Sequence, residues 1–156
     1  MIDNPANALI AEHIRRFMNV LGMQDVHLEC HTEEPGMLRI SIIAGPEGKM
    51  LIGAQGASLN ALQHIIRCVL RKHIAEDVHI WVDVNGYRVR RERTLFEFAT
   101  EVAKRAQRTG KQITLSPMNA IDRRIIHTAL ASHKDVLTES IGDAAQRRVV
   151  VRPVFL

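Results

Sequence analysis

The sequence predicts an α+β fold built as two small domains, with the order αββααβ over residues 1–85 and αβαββ over residues 86–156. Three observations lead there. Stretches with apolar residues at helical spacing alternate with short β-type runs. The pair Asn85-Gly86 stops one such run, and a long helical pattern begins directly after it, without a linker. The charge also changes at that point. Residues 1–84 carry seven Lys/Arg and ten Asp/Glu, a net −3, whereas residues 85–156 carry fourteen and seven, a net +7.

Each element has its own signal. In "NPANALIAEHIRRFMNVLG", Asn4 is placed to cap a helix and Pro5 suits its first turn. Leu9, Ile10, His13, Phe17, Val20 and Leu21 follow helical spacing, and Gly22 stops the run. "VHLECHT" and "MLRISIIA" read as strands of a hairpin joined through "EEPG". One helical turn fits Lys49–Ile52. "ASLNALQHIIRCVLRKH" is an amphipathic helix with Leu59, Leu62, Ile66, Val69 and Leu70 on one face and Asn60, Gln63, Arg67 and Arg71 on others. "VHIWVDV" is a strand with Trp81 assigned to the core. The second half opens with a helix whose apolar stripe is Leu95, Phe98, Ala99, Val102 and Ala106, ended by Gly110. "KQITL" is a short strand. In "SPMNAIDRRIIHTALASH", Ser116 is the expected cap, Pro117 the first helical residue, and Ile121, Ile125, Ala129 and Leu130 the buried face. "VLTES" and "RRVVVRPV" are two strands joined around Gly142.

Composition removes several function classes. Aromatic residues are only 4 % of the chain, so the core is aliphatic. No run approaches the roughly 18 apolar residues that span a bilayer, and the start lacks a signal-peptide pattern. Cys30 and Cys68 read as free buried thiols of a reducing cytoplasm. "HLECH" brings His27, Cys30 and His31 close in sequence, but on a strand Cys30 faces away from the histidines, and further zinc ligands are lacking. No nucleophile–base–acid set stands out. Asp83 near Tyr87 reads as a turn residue. The expectation is a non-enzyme without metal or cofactor.

The stretch that carries chemistry is "GKMLIGAQGASLNALQ". A dinucleotide fingerprint would need a third glycine in a βαβ unit, and a P-loop would need Ser or Thr after Gly-Lys. Neither is present. Gly53 and Gly56 instead form Gly-x-x-Gly between two helices, after Ile52. That spacing, within αββααβ, is the loop with which a KH domain clamps a nucleic-acid backbone. Glycines let a phosphate approach the chain, and the following helix presents its N-terminal N–H groups and positive dipole end. A plain helix–helix turn is the alternative for an isolated Gly-x-x-Gly; the order of elements favours the KH reading.

Here the sequence resembles a known family. "LIGAQGASLNALQHIIRCVL" is similar to the type II KH domain of the bacterial Jag family, also called KhpB. "VDVNGYRVRRERTL", "SPMNAIDRRIIHTAL" and "RRVVVRP" are similar to that family's R-3-H domain, named for an Arg and a His with three residues between them. The likeness covers nearly the whole chain. It marks Arg123 and His127, neighbours on one helix face. Arg123 can donate a fork of hydrogen bonds to a phosphate, His127 can bond a phosphate or stack on a base, and Arg124 adds charge.

Two departures matter. Many relatives place a basic residue between the two glycines, where this chain has Ala54 and Gln55; Lys49, Arg67 and Arg71 supply charge if they face the groove. The chain also begins at the first KH helix, so the Jag-N domain and linker carried by family members are not expected. The resemblance implies a cytoplasmic protein that binds single-stranded RNA, with single-stranded DNA as a second candidate. It further implies an RNA chaperone or post-transcriptional regulator of cell elongation, division and shape, without membrane insertion. A small KH-only protein is an implied partner, and a homodimer is left open. The rival is a protein-interaction adaptor that keeps the KH fold with little RNA affinity. The expected contacts are Lys49, Ile52, Gly53, Ala54, Gln55, Gly56, Arg67, Arg71, Arg123, Arg124 and His127.

Overall fold

The computed structural model describes residues 5–34, 36–75 and 77–154. The fold is α+β, and the chain divides between Arg88 and Val89 into two units, each with its own core.

The first unit has the order expected for a type II KH domain. Helix α1 (Pro5–Val20) precedes strands β1 (Val26–Glu34) and β2 (Met37–Ala44). Helices α2 (Gly48–Ile52) and α3 (Ala57–Leu70) then lead to β3 (His79–Val84). The expected cap at Asn4 lies outside the described residues. α1 ends as expected at Gly22, whose φ of +80° suits glycine. Gly22 N–H donates to the Asn19 carbonyl and Met23 N–H to the Met18 carbonyl, which closes the helix while burying both methionines. β1 and β2 form the antiparallel hairpin; β3 lies on the other side of β2 and parallel to it. Such a parallel step needs a crossover, and α2–α3 provide it.

Ile10, Ala11, Ile14 and Met18 of α1 and Leu59, Leu62, Ile66 and Leu70 of α3 cover one face of this sheet. They meet Leu28 and Cys30 of β1, Leu38, Ile40 and Ile42 of β2, and Ile80, Val82 and Val84 of β3. The packed face differs from the expectation at several positions. Leu9, Val20, Leu21 and Val69 are exposed, because the i, i+4 rows through Ile10–Ile14–Met18 and Leu62–Ile66–Leu70 take the contact. Trp81 is not core: strand alternation gives the inner face to Ile80, Val82 and Val84 and leaves Trp81 39 % exposed on the other side. Of the cysteines, Cys30 is buried as expected, but Cys68 is exposed.

The second unit holds most of helix α4 (Tyr87–Thr109), then β4 (Ile113–Thr114), α5 (Ala120–Leu130), β5 (Val136–Ile141) and β6 (Arg148–Pro153). The sheet order is β4-β6-β5, antiparallel throughout. Leu95, Ala99, Val102, Ala103 and Ala106 of α4 pack with Ile126 and Leu130 of α5 against Val136, Val149 and Val151. Alanines at three of these α4 positions allow close approach, and they leave Phe98 outside the stripe, 45 % exposed. α5 starts later than expected. Asn119, not Ser116, caps it: its Oδ1 accepts from Asp122 N–H at 2.9 Å. Residues before it run beside β6, with Leu115 N–H on the Val149 carbonyl and Met118 N–H on the Arg147 carbonyl, so Pro117 stays outside the helix. The buried row of α5 is Asp122–Ile126–Leu130; Ile121 is exposed.

Candidate nucleic-acid interface

The glycine loop is built from backbone conformations that its residues dictate. Gly53 has φ +68° and ψ −175°, a region open essentially to glycine alone. A side chain there would collide with the Ser58 hydroxyl and come within 2.9 Å of Ser58 N. Gly53 N–H donates to the Lys49 carbonyl at 2.9 Å, closing α2. Gln55 and Gly56 are left-handed, at φ +51° and +78°. Gly56 is buried, and a Cβ there would stand 2.9 Å from Cε1 of Tyr87. The loop therefore holds Ala54 and Gln55 out in solvent at the N-terminal end of α3. Ile52 is half-buried against the core, and Lys49 is exposed one turn before the loop.

The turn after β3 braces this region. Asn85 exchanges two hydrogen bonds with the Ala44 backbone, at 2.9 and 2.7 Å, and its amide lies against Gly48. Asp83 Oδ1 accepts from Arg88 N–H at 3.0 Å, which starts α4. The Arg88 side chain lies along the edge of β3. Nε donates to the Val82 carbonyl at 2.8 Å, and Nη2 to Gln63 Oε1 at 3.0 Å and Asn60 Oδ1 at 3.3 Å. Gln63 Oε1 also accepts from Val82 N–H at 3.1 Å. The edge groups of Val82 are thus covered by side chains rather than offered to another strand. The guanidinium carbon stands 4.7 Å from the centre of the Trp81 ring. Burial lowers the Arg88 pKa, partly opposed by Asp83. Sequence reading missed this cluster because its members come from α3, β3 and α4, at separations no motif records.

Arg67 and Arg71 stand apart from the loop. At the rise of an α-helix they lie roughly 16 and 22 Å along α3 from Gly56. They line a cavity of about 500 Å³ with His64, Cys68, Ile74 and His79.

In the second unit, His127 is fully engaged. Nδ1 lies 2.7 Å from Thr138 Oγ1 and Nε2 lies 2.7 Å from Ser140 Oγ, so the ring ties α5 to β5. Burial and, secondarily, the charge of Arg123 lower its pKa. Arg123 Nη1 donates to the Met118 carbonyl at 2.9 Å. Arg124 is exposed. Beneath them Asp122, 3 % exposed, accepts from Arg91 Nη2 at 2.7 Å and Nε at 3.3 Å, joining α5 to α4. Among the described residues no group of three or more His, Cys, Asp or Glu side chains is arranged to hold a metal. No described helix is long and apolar enough to cross a membrane.

The second unit is an R-3-H domain: residues 93–153 match the family model of that description. Across both units the chain is similar to three curated proteins, each named RNA-binding protein KhpB. That of Clostridium symbiosum is 36 % identical over 109 residues, covering 70 % of this chain and 49 % of the relative. That of Lactiplantibacillus plantarum is 40 % identical over 102 residues, covering 65 % and 32 %. That of Bacillus subtilis is 32 % identical over 111 residues, covering 70 % and 53 %. The chain belongs to the KhpB (Jag) family, and it spans about half or less of the length of these relatives.

Proposed function

We propose that this chain binds single-stranded RNA, with single-stranded DNA as a second candidate, through a KH-type module of residues 1–85 and an R-3-H module of residues 86–156. The glycine loop carries the reading. Gly53 and Gly56 hold the chain where side chains would collide, and present Ala54–Gln55 and the positive N-terminal end of α3 to a phosphate. Lys49 and Ile52 flank that contact. Arg67 and Arg71 receive the strand farther along α3. In the second module Arg124 faces the phosphates, while Arg123 and His127 set the shape of the surface from beneath. The RNA-binding names of the relatives support the ligand class. The role that follows is that of a cytoplasmic, non-enzymatic RNA chaperone or post-transcriptional regulator acting on cell elongation, division and shape, with a small KH-only protein as partner.

One feature favours a second reading, a protein-interaction adaptor: the loop has no cation between its glycines. Titration of labelled single-stranded RNA at several salt concentrations decides between them. Three phosphate contacts give a log–log slope of about −2 on a single strand. Ala54→Asp with Gln55→Asp should weaken binding about tenfold by placing like charge against a phosphate. Flat, weak binding at low salt would leave the adaptor reading in place.

A further inference from the structure

The first sheet has a second face, opposite the one that α1 and α3 cover. On it the pairing register brings three side chains into one row across the strands. His31 of β1 is opposite Arg39 of β2, and Arg39 is opposite Trp81 of β3. Arg88 extends the row, its guanidinium laid over the indole. Neighbouring strands are about 4.8 Å apart, so the row runs roughly 10 Å before the Arg88 end is counted. The adjacent row, Glu29–Ser41–Asp83, carries two carboxylates, and both are engaged. Glu29 lies 3.5 Å from His27 and 3.9 Å from His31, and Asp83 holds the Arg88 N–H. An aromatic ring with a flat cation stacked on it, flanked by a further arginine, is what an unpaired nucleobase and its phosphate require.

We propose that this open sheet face is a second contact for single-stranded nucleic acid, in which a base stacks on the Trp81–Arg88 pair and Arg39 meets the adjoining phosphate. The proposal rests on the RNA-binding reading above but uses a different surface. The helix side of the same edge is closed by the bonds of Arg88 to Gln63 and Asn60, which hold the guanidinium over the ring. Arg88 therefore acts as part of the stacking platform rather than as a mobile phosphate ligand.

Trp81 is the only tryptophan in the chain, so its emission reports this face alone. The test adds short single-stranded RNA to the full chain and follows RNA anisotropy and Trp81 emission together. Emission should be quenched in step with binding, and the ring should be shielded from acrylamide. Trp81→Leu should weaken binding by roughly five- to a hundredfold, the range for loss of one base stack. If that variant misfolds by circular dichroism, acrylamide shielding of the unaltered chain decides. RNA binding with unchanged emission and unchanged acrylamide access overturns this proposal and leaves the glycine-loop reading intact. Absence of RNA binding overturns both. An emission change that follows protein concentration without RNA assigns the face to a second copy of the chain and also overturns it.

Discussion

His127, a candidate ligand group, also ties α5 to β5 through both ring nitrogens. Its spacing from Arg123 is legible in the sequence, and so is its family signature. Its two hydroxyl partners are not, because Thr138 and Ser140 lie on a strand eleven and thirteen residues away. Burial and, secondarily, the charge of Arg123 disfavour the protonated imidazole and lower its pKa from the ordinary 6.5. The unfolded chain thus takes up a proton at this residue before the folded chain does. Stability is unaffected well above pH 6.5 and falls as the pH drops through that value toward the depressed folded pKa. Thermal unfolding should show this loss as the pH falls through 6.5, and His127→Gln should flatten that part of the profile. Trp81 and Cys68 carry the same lesson from the other side. Both were assigned to the interior on apolar neighbours, yet strand alternation and helix phase turn them outward.

Elements were more legible than faces. Helix stops at Gly22 and Gly110, the hairpin and the glycine loop all have local chemical causes. Which side of a helix packs does not, since several apolar positions compete and the choice depends on what the rest of the chain presents. α5 makes the point. Its cap shifted to Asn119 because residues 115–118 bond along β6, and its buried row gained a carboxylate that periodicity reads as polar surface. Asp122 is acceptable there because Arg91 of α4 meets it with two hydrogen bonds. Asp122→Ala would remove the carboxylate that the Arg91 guanidinium, 28 % exposed, meets at 2.7 Å. The expected cost is about 3 kcal/mol, the lower end for a broken buried pair. Chemical denaturation followed by circular dichroism measures it, and a loss below about 1 kcal/mol would show that the pair is solvated.

At the scale of the molecule, the sequence distributes charge unevenly between its two halves, −3 against +7. The glycine loop supplies shape with little charge, while the R-3-H domain supplies charge on a frame fixed by Asp122 and His127. The salt dependence of RNA binding should therefore come mainly from the second half. Arg124→Gln should lower the magnitude of the slope by about 0.7, the value of one phosphate contact on a single strand. Lys49→Gln should do the same only if the glycine loop is occupied in the same complex. Comparing the two slopes at equal RNA length tells whether one strand engages both halves.

The contrast between the two cysteines has a practical side. Cys30 is sealed inside the first unit, whereas Cys68 opens to solvent in the cavity beside Arg67 and Arg71, with its sulfur 3.8 Å from His64 Nε2. The unaltered chain thus has a single address for a maleimide dye or a spin label. Distances from that address to a tagged RNA end can be taken without engineering a cysteine. The same exposure leaves Cys68 open to disulfide exchange between two chains, so labelling is done from the reduced protein.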